Sequence, residues 1–322
     1  MNSICIISVY FGKFNNYFDL WLRTCAYNQK IDFLIVSDAD YDKNLPANVK
    51  ILRKNIDDVR EMASKATGVH VALYRPYKCC DLKPFYGLIF QQFIKDYEYW
   101  GECDMDLMWG DLYSFLTKNN YKSYDKFSPL GHLSLYRNTP ENNERYKLAG
   151  VIKGGWQYVL KSEKNEVFDE QNGIGRIYIE NNLPFFNKQL FADITPLHYR
   201  FTISPFSTIN EKSQKNYRFQ IFYWREGCVY RDYFKNGRLY TDEFMYIHFR
   251  GRDNYKPSED VMTGSSFYIT PKGFIPKITV TTKDIINEYN PCPSLIQEKL
   301  VELKFRWDYQ FRRIKRLFSK CK

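Results

Sequence analysis

The stretch Trp100-Gly101-Glu102-Cys103-Asp104-Met105-Asp106-Leu107-Met108-Trp109-Gly110-Asp111-Leu112 decides how the chain reads. It gathers four carboxylates, Glu102, Asp104, Asp106 and Asp111, among large aromatic and apolar residues. Charges withdrawn from water repel one another unless something neutralises them, and a divalent cation is the usual solution. Asp104 and Asp106 alternate, so on an extended segment both side chains face one way and can grip one ion. Upstream, the apolar run 85–90 predicts a helix. The segment from Tyr97 to Trp100 then predicts a buried strand with the acids at its C-terminal end, where ligands of open α/β sheets bind. An EF-hand loop is excluded, because its fifth and sixth positions would be Met108 and Trp109, where an oxygen ligand and a glycine are needed. Two alternatives stay open: a phosphatase-type DxD, which normally sits on a first strand, and a plain solvated acidic turn.

Toward the N-terminus, Ile4 to Tyr10 reads as a buried strand, and Phe11-Gly12-Lys13 as the loop after it. Apolar residues at helical spacing (Phe18, Leu22, Cys25, Ala26) predict a helix over 17–27. Ile31 to Val36 is a second strand, ending in Ser37-Asp38, and Val49 to Leu52 a third. This βαβ opening predicts a parallel sheet covered by helices. No GxGxxG follows the first strand, which argues against a dinucleotide cofactor. Asn55 caps a further helix, with Asp57 and Asp58 in its first turn. Lys78, Asp81 and Lys83 lie in a charged, aromatic segment just before the helix that feeds the acidic strand. Asp111 caps a helix over 112–118.

Toward the C-terminus the pattern is less regular. Strands are expected at 131–138, 193–201, 220–224, 229–234 and 244–249, with Lys235-Asn236-Gly237-Arg238 as a hairpin turn. Asp169 and Glu170 form an acidic pair in a mixed region. His248-Phe249-Arg250-Gly251-Arg252 sets a histidine beside two arginines around a glycine, which suggests a metal and phosphate site more than a packed side chain. From Ser294 onward a helix is expected, with Leu300, Leu303, Trp307, Phe311, Ile314 and Phe318 on one face and Arg312, Arg313, Lys315 and Arg316 on the rest. That composition suits an anionic membrane surface; docking on protein is the alternative.

With 322 residues the chain can bury a large core, in one enlarged domain or two smaller ones. Aromatic residues make up 18%, enough to stack on sugar rings as well as to fill cores. The eight cysteines show no CxxC pairing, which argues for free thiols in a reducing cytoplasm. No run has the length of a membrane-spanning helix, and the apolar run from Ile4 is too short and lacks the basic leader of a signal peptide. The net charge is +10, but residues 304–322 hold eight Lys or Arg against the single acid Asp308. A basic tail of that kind argues against a general nucleic-acid-binding protein.

Taken together, SVYFGKFNNYFDLWLRTCAYNQKIDFLIVSD (8–38), RPYKCCDLKPFYGLIF (75–90) and WGECDMDLMWGDL (100–112) resemble bacterial glycosyltransferases encoded with capsule and O-antigen genes. Weaker echoes follow at GHLSLYRN (131–138) and YIHFRGR (246–252). The resemblance implies an α/β fold of the GT-A type with a mixed, mainly parallel central sheet. It implies one domain over 1–290, with a nucleotide-sugar-binding half (1–115) and an irregular α+β acceptor half (116–290), then the amphipathic tail (291–322). A nucleotide-sugar donor (a UDP-sugar favoured) and Mn²⁺ or Mg²⁺ are implied with it, as is a saccharide acceptor that is commonly lipid-linked. So is a cytoplasmic, peripheral location on the inner face of the membrane. Asp104 and Asp106 become the DxD pair, with Asp104 also facing the donor, and His248 completes the metal site. Tyr10, Phe11, Gly12 and Asp38 fall where the nucleoside is held, and Lys78, Asp81 and Lys83 shape the donor pocket. Arg250 and Arg252 are expected on the phosphates, and Asp169 and Glu170 at the acceptor hydroxyl or the reacting sugar. The acidic pair that marks the base of inverting relatives is missing, so the stereochemical course stays open. A non-catalytic carbohydrate-binding protein and a metal-dependent phosphohydrolase are the competing readings.

Overall fold

Four hydrophobic strands frame the molecule. In the computed structural model, β1 (Ile4–Val9), β2 (Asp32–Ser37) and β3 (Val49–Arg53) pair in parallel, and β4 (Tyr99–Cys103) adds to the other side of β1, also in parallel. The structure describes residues 2–150, 154–195, 199–204, 214–292, 294, 299, 300 and 303. Strands covered on both faces need near-continuous apolar runs, which is what Ile4–Val9 and Phe33–Val36 supply. Ile4, Ile6, Phe33 and Ile35 pack with Phe18, Trp21 and Leu22 of helix α1 (Phe18–Ala26). Cys5, Ile7, Leu34 and Val36 pack on the opposite face with Val59 and Ala63 of helix α2 (Ile56–Thr67). Asn55 caps α2 in a reciprocal capping box with Asp58, and Gly68 ends it in the left-handed conformation.

The same sheet continues beyond residue 115. β6 (Lys126–Leu130), β7 (Leu133–Arg137) and β8 (Phe185–Phe186) complete the order β3-β2-β1-β4-β7-β6-β8, with antiparallel pairing at β4/β7 and β7/β6. The central sheet is therefore mixed and mainly parallel. A small sheet, ordered β5-β13-β9, is built from β5 (Leu107–Trp109), β9 (Ala192–Asp193) and β13 (Tyr246–His248). An antiparallel sheet holds β10 (Gln220–Arg225), β11 (Cys228–Lys235), β12 (Arg238–Phe244), β14 (Ser266–Thr270) and β15 (Gly273–Pro276). Asn236 and Gly237, both at positive φ, make the expected turn between β11 and β12.

Two expectations need correction, and a third falls outside the described residues. The helix expected over 85–90 is broken into pieces: Pro76 and Pro84 confine Pro76–Phe85 to 3₁₀ turns, and the short helices Tyr86–Ile89 and Gln91–Ile94 follow. The strand expected over 193–201 is confined to Ala192–Asp193, because the chain doubles back: Ile194 bridges Ile203, and the Thr195 N–H donates to the Thr202 carbonyl. Residues 196–198 lie outside the described residues, and so does nearly all of the expected C-terminal helix. Among the described residues, no helix is long and apolar enough to cross a membrane.

Candidate metal centre

The small sheet gathers the site. β4 ends at Cys103 and β5 begins at Leu107, so Asp104-Met105-Asp106 is the link between two sheets. Met105 is buried in the core while Asp104 and Asp106 stay partly exposed, as alternation requires. β13 runs antiparallel to β5 with His248 opposite Leu107, and parallel to β9 with His248 opposite Asp193. Residues far apart in sequence thus meet at one sheet end. Arg250 and Gly251 both adopt positive φ, turning the chain beyond β13. The turn sets the Gly251 N–H 2.5 Å from Asp106 Oδ2 and carries Arg250 back onto Asp193.

The histidine is held from both sides. Its Nδ1 lies 2.8 Å from Asp193 Oδ1, and its Nε2 lies 3.4 Å from Asp106 Oδ1. Arg250 donates twice to the Asp193 carboxylate, which is fully buried. Burial alone would lower the His248 pKa, but Asp106 and Asp193 outweigh it and push the imidazole up to about 10. Burial would also raise Asp106; His248 and the Gly251 N–H instead hold it well below the usual carboxylate range. Ligand atoms of Asp104, Asp106 and His248 all lie within 4.8 Å of one another. With Nδ1 committed to Asp193, the free Nε2 faces the carboxylates, the arrangement in which an outer carboxylate orients a metal-binding imidazole. Two carboxylates and one imidazole suit Mn²⁺.

Lys83 supplies the counter-charge. Its buried ammonium lies 2.5 Å from Asp104 Oδ1, 2.5 Å from the Gly131 carbonyl, 3.2 Å from Asp169 Oδ2 and 3.9 Å from Glu102. The Asp169 carboxyl is pushed up to about 7 by burial, with Glu170 and Asp104 adding to the rise and Lys83 opposing it. Glu102 lies beneath the cleft, and burial raises its carboxyl well above the usual range. The fourth acid of the stretch, Asp111, caps the helix Leu112–Lys118. A cleft of about 470 Å³ is lined by Asp104, Asp106, Asp169, Glu170, His248 and Arg250, with Tyr77 and Val167 at its lip. A second hollow, of about 600 Å³, opens beside Gly12 and Asp38, where the Gly12 N–H donates to Asp38 Oδ1 at 2.8 Å. The loop between the two is braced on the acidic link by Asn15, which donates to the Met105 carbonyl.

Other expected residues sit elsewhere. Lys78 and Asp81 form a buried ion pair at 2.8 Å that does not line the cleft. Lys78 donates to the Val159 and Lys164 carbonyls, and Asp81 accepts from the Glu166 and Phe168 N–H groups. The pair therefore fixes the loop that presents Val167, Asp169 and Glu170. Arg252, expected on phosphates, is buried against the core: it donates to the Phe249 and Thr195 carbonyls and stacks over Phe201. Phe11 packs against the core beside α2, and the Tyr10 hydroxyl donates to the Lys13 carbonyl. Two residues of the centre escaped the sequence reading. Asp193 looked only like the start of a strand, and His132, inside GHLSLYRN, stacks on His248 at 4.3 Å. Burial beside His248 holds the His132 pKa well below its usual value.

Comparison with known proteins gives a family and a distant fold likeness. The model of a family of unknown function (DUF6625) matches residues 6–278. No curated protein sequence matches. The galactosyltransferase LgtC, solved in complex with donor and acceptor sugar analogs, is similar with 9% identity and a TM-score of 0.35, over 61% of this chain and 77% of that one. An active-site mutant of LgtC is similar with 8% identity and a TM-score of 0.38, over 88% of this chain and 94% of that one.

Proposed function

The chain belongs to that family of unknown function, and we propose that it is a metal-dependent glycosyltransferase that moves a sugar from a nucleoside diphosphate to a saccharide acceptor. One observation carries the reading: Asp104, Asp106 and His248 converge on one point, with Asp193 orienting the histidine from behind. Glycosyl transfer needs such a point, because negative charge grows on the departing diphosphate. A divalent ion bound there supplies Lewis-acid stabilisation of that charge.

The chain's own groups fit the remaining tasks. Arg250 is only partly used by Asp193, lines the cleft, and has N–H groups left for charge-assisted bonds to phosphate oxygens. The hollow at Gly12 and Asp38 receives the nucleoside, one loop away from the ion site. Asp169, whose carboxyl titrates near neutrality, faces the acceptor hydroxyl or the reacting sugar together with Glu170. The acceptor enters past Tyr77, an aromatic ring 74% exposed at the lip. Val167, which also lines the cleft, holds a positive φ that is strained for a β-branched residue, a feature that clusters at ligand sites. The motif resemblance favours a cell-surface saccharide as acceptor, and the excess of Lys and Arg in residues 304–322 suits an anionic membrane beside a lipid-linked acceptor.

The test is a panel of nucleotide sugars screened for thermal stabilisation with and without Mn²⁺, followed by product analysis with the ligand that stabilises most. Transfer of sugar to an acceptor supports the reading. Release of phosphate alone makes the protein a phosphohydrolase, and binding without turnover makes it a carbohydrate-binding protein.

A further inference from the structure

One ring nitrogen beside the candidate metal site has no partner among the described residues. His132 is 3% exposed and sits in the cleft wall. Its Nδ1 shares a hydrogen bond of 2.9 Å with the Tyr246 hydroxyl, while its Nε2 is buried and unpaired. Phe191 and Tyr246 meet the ring edge-on and His248 covers its face, so the ring is locked in place. Leaving a buried nitrogen unpaired is costly, and a group that does so is expected to meet its partner in the working complex.

The stacking decides which partner. An imidazole binds metal in the plane of its ring. Even if the two axes converge, a 28° tilt across 4.3 Å lets them meet only roughly 8 Å out, against a metal–nitrogen bond of about 2.1 Å. One ion cannot be held by both rings. His132, Asp193 and His248 do form a second cluster of ligand atoms. Its carboxylate, however, is already taken by His248 and Arg250, and the guanidinium opposes another cation there.

We propose that His132 Nε2–H donates to a diphosphate oxygen of the donor, beside the site where Asp104, Asp106 and His248 would hold the ion. This rests on the metal-dependent reading above. It makes Nδ1 the acceptor of the Tyr246 hydroxyl and fixes the proton on Nε2. A neutral, immobile donor next to Arg250 is preorganised for charge that grows as the bond to the sugar breaks.

The full chain is compared with His132→Phe, which keeps a stacking ring without the donor, and with His132→Gln, which keeps an N–H. Mn²⁺ binding is measured alone by electron paramagnetic resonance. Binding of inorganic pyrophosphate and of UDP at saturating Mn²⁺ is measured by calorimetry, with thermal melting to check the fold. The expected result is Mn²⁺ affinity within about threefold in all three proteins. Affinity for the diphosphates falls roughly tenfold to a hundredfold in the Phe variant, as for a lost bond to a charged group, and is largely restored by Gln. Equal diphosphate affinity in the Phe variant overturns the proposal, and so does a matching loss of Mn²⁺ affinity, which would make His132 a direct ligand. If the Phe variant does not fold, His132→Gln is compared with His132→Asn, whose shorter side chain withdraws the donor; equal affinities then overturn it. Wild-type protein that binds Mn²⁺ but neither diphosphate refutes this inference alone. Wild-type protein that binds no Mn²⁺ refutes the metal reading beneath it.

Discussion

Manganese affinity should rise about tenfold for each pH unit between pH 7 and 9. The reason lies in what occupies His248 before the ion arrives. Its imidazole is pushed up to about 10, so at pH 7 the metal-free protein holds it protonated between Asp106 and Asp193. A metal ligand must be neutral, so the ion has to expel that proton. Three pKa units separate pH 7 from the titration, which puts the cost of expulsion on the order of 4 kcal/mol at pH 7 and near zero at pH 10. The metal-free protein should behave in the opposite sense. A histidine whose folded pKa is raised contributes stability that is complete below about 6.5 and is lost as pH rises through about 10. Melting temperature without metal should therefore fall across the window in which Mn²⁺ affinity climbs. Calorimetric titration in buffers of different ionisation enthalpy counts the protons, and close to one should leave per ion at pH 7.5. Asp193→Asn removes a group that raises the histidine pKa, so it should flatten the pH dependence. It should also cost about tenfold to a hundredfold in affinity at pH 9, the usual penalty for losing an outer carboxylate. A dissociation constant that stays flat from pH 7 to 9, with no proton released, would show that His248 is not the ligand.

Further outcomes follow from single contacts. Asp106→Asn keeps an acceptor for the Gly251 N–H but loses the charge, so Mn²⁺ binding and sugar transfer should be lost with the fold intact; near-normal turnover would remove Asp106 from the metal site. Lys78→Met leaves the buried Asp81 without its cation, which should cost about 3–5 kcal/mol and lower the melting temperature by roughly 4–7 °C. A drop under about 2 °C in scanning calorimetry would show that the pair is not a clamp. At Gly131 a β-carbon would stand 2.3 Å from Asp169 Oδ2, so Gly131→Ala must push that carboxyl off Lys83. Turnover should fall at least tenfold with Mn²⁺ affinity within about twofold, and unchanged turnover would exclude Asp169 from the reaction. Tyr77→Ala should raise the acceptor KM without changing that of the donor, and Tyr77→Trp should restore it.

The opening of the fold could be read from sequence because its causes are local. Strands buried on both faces betray themselves as unbroken apolar runs, and Asn55 with Asp58 announces a helix start within four residues. The run 85–90 misled for a local reason as well. Its apolar residues suggest one continuous helix, but Pro84 and the 3₁₀ turns before it delay the helical start to Tyr86, and Leu82, Phe85 and Tyr86 bury themselves in the core. Asp104 and Asp106 were visible because two spaced acids among tryptophans conflict with burial. Asp193 carries no such conflict in Phe191-Ala192-Asp193-Ile194. Its role comes from the parallel register of β9 on β13, a non-local fact that no window of sequence contains. Arg252 failed in the opposite way: beside Arg250 it looked equivalent, but the two positive-φ residues between β13 and Arg252 send the guanidiniums apart, one to Asp193 and one to the core.

The charge arrangement explains why Lys83 stands before the acidic stretch at all. At the centre, Asp104, Asp106 and Asp193 carry three negative charges, and Lys83, Arg250 and protonated His248 carry three positive ones. Asp169, 3.2 Å from Lys83 and titrating near pH 7, adds part of a further negative charge, so the metal-free site is close to balance, which is how so much buried charge is tolerated without an ion. On the proposed reading, exchanging the proton of His248 for a divalent cation would raise the charge of the same cluster by one, and the site should then attract an anionic diphosphate more strongly than the metal-free protein does. Lys83 would not have to leave for this to happen, because its contacts to Asp169 and the Gly131 carbonyl hold it in place independently of Asp104. On that reading the lysine belongs to the resting balance, and the histidine proton is the charge the site would give up on binding an ion.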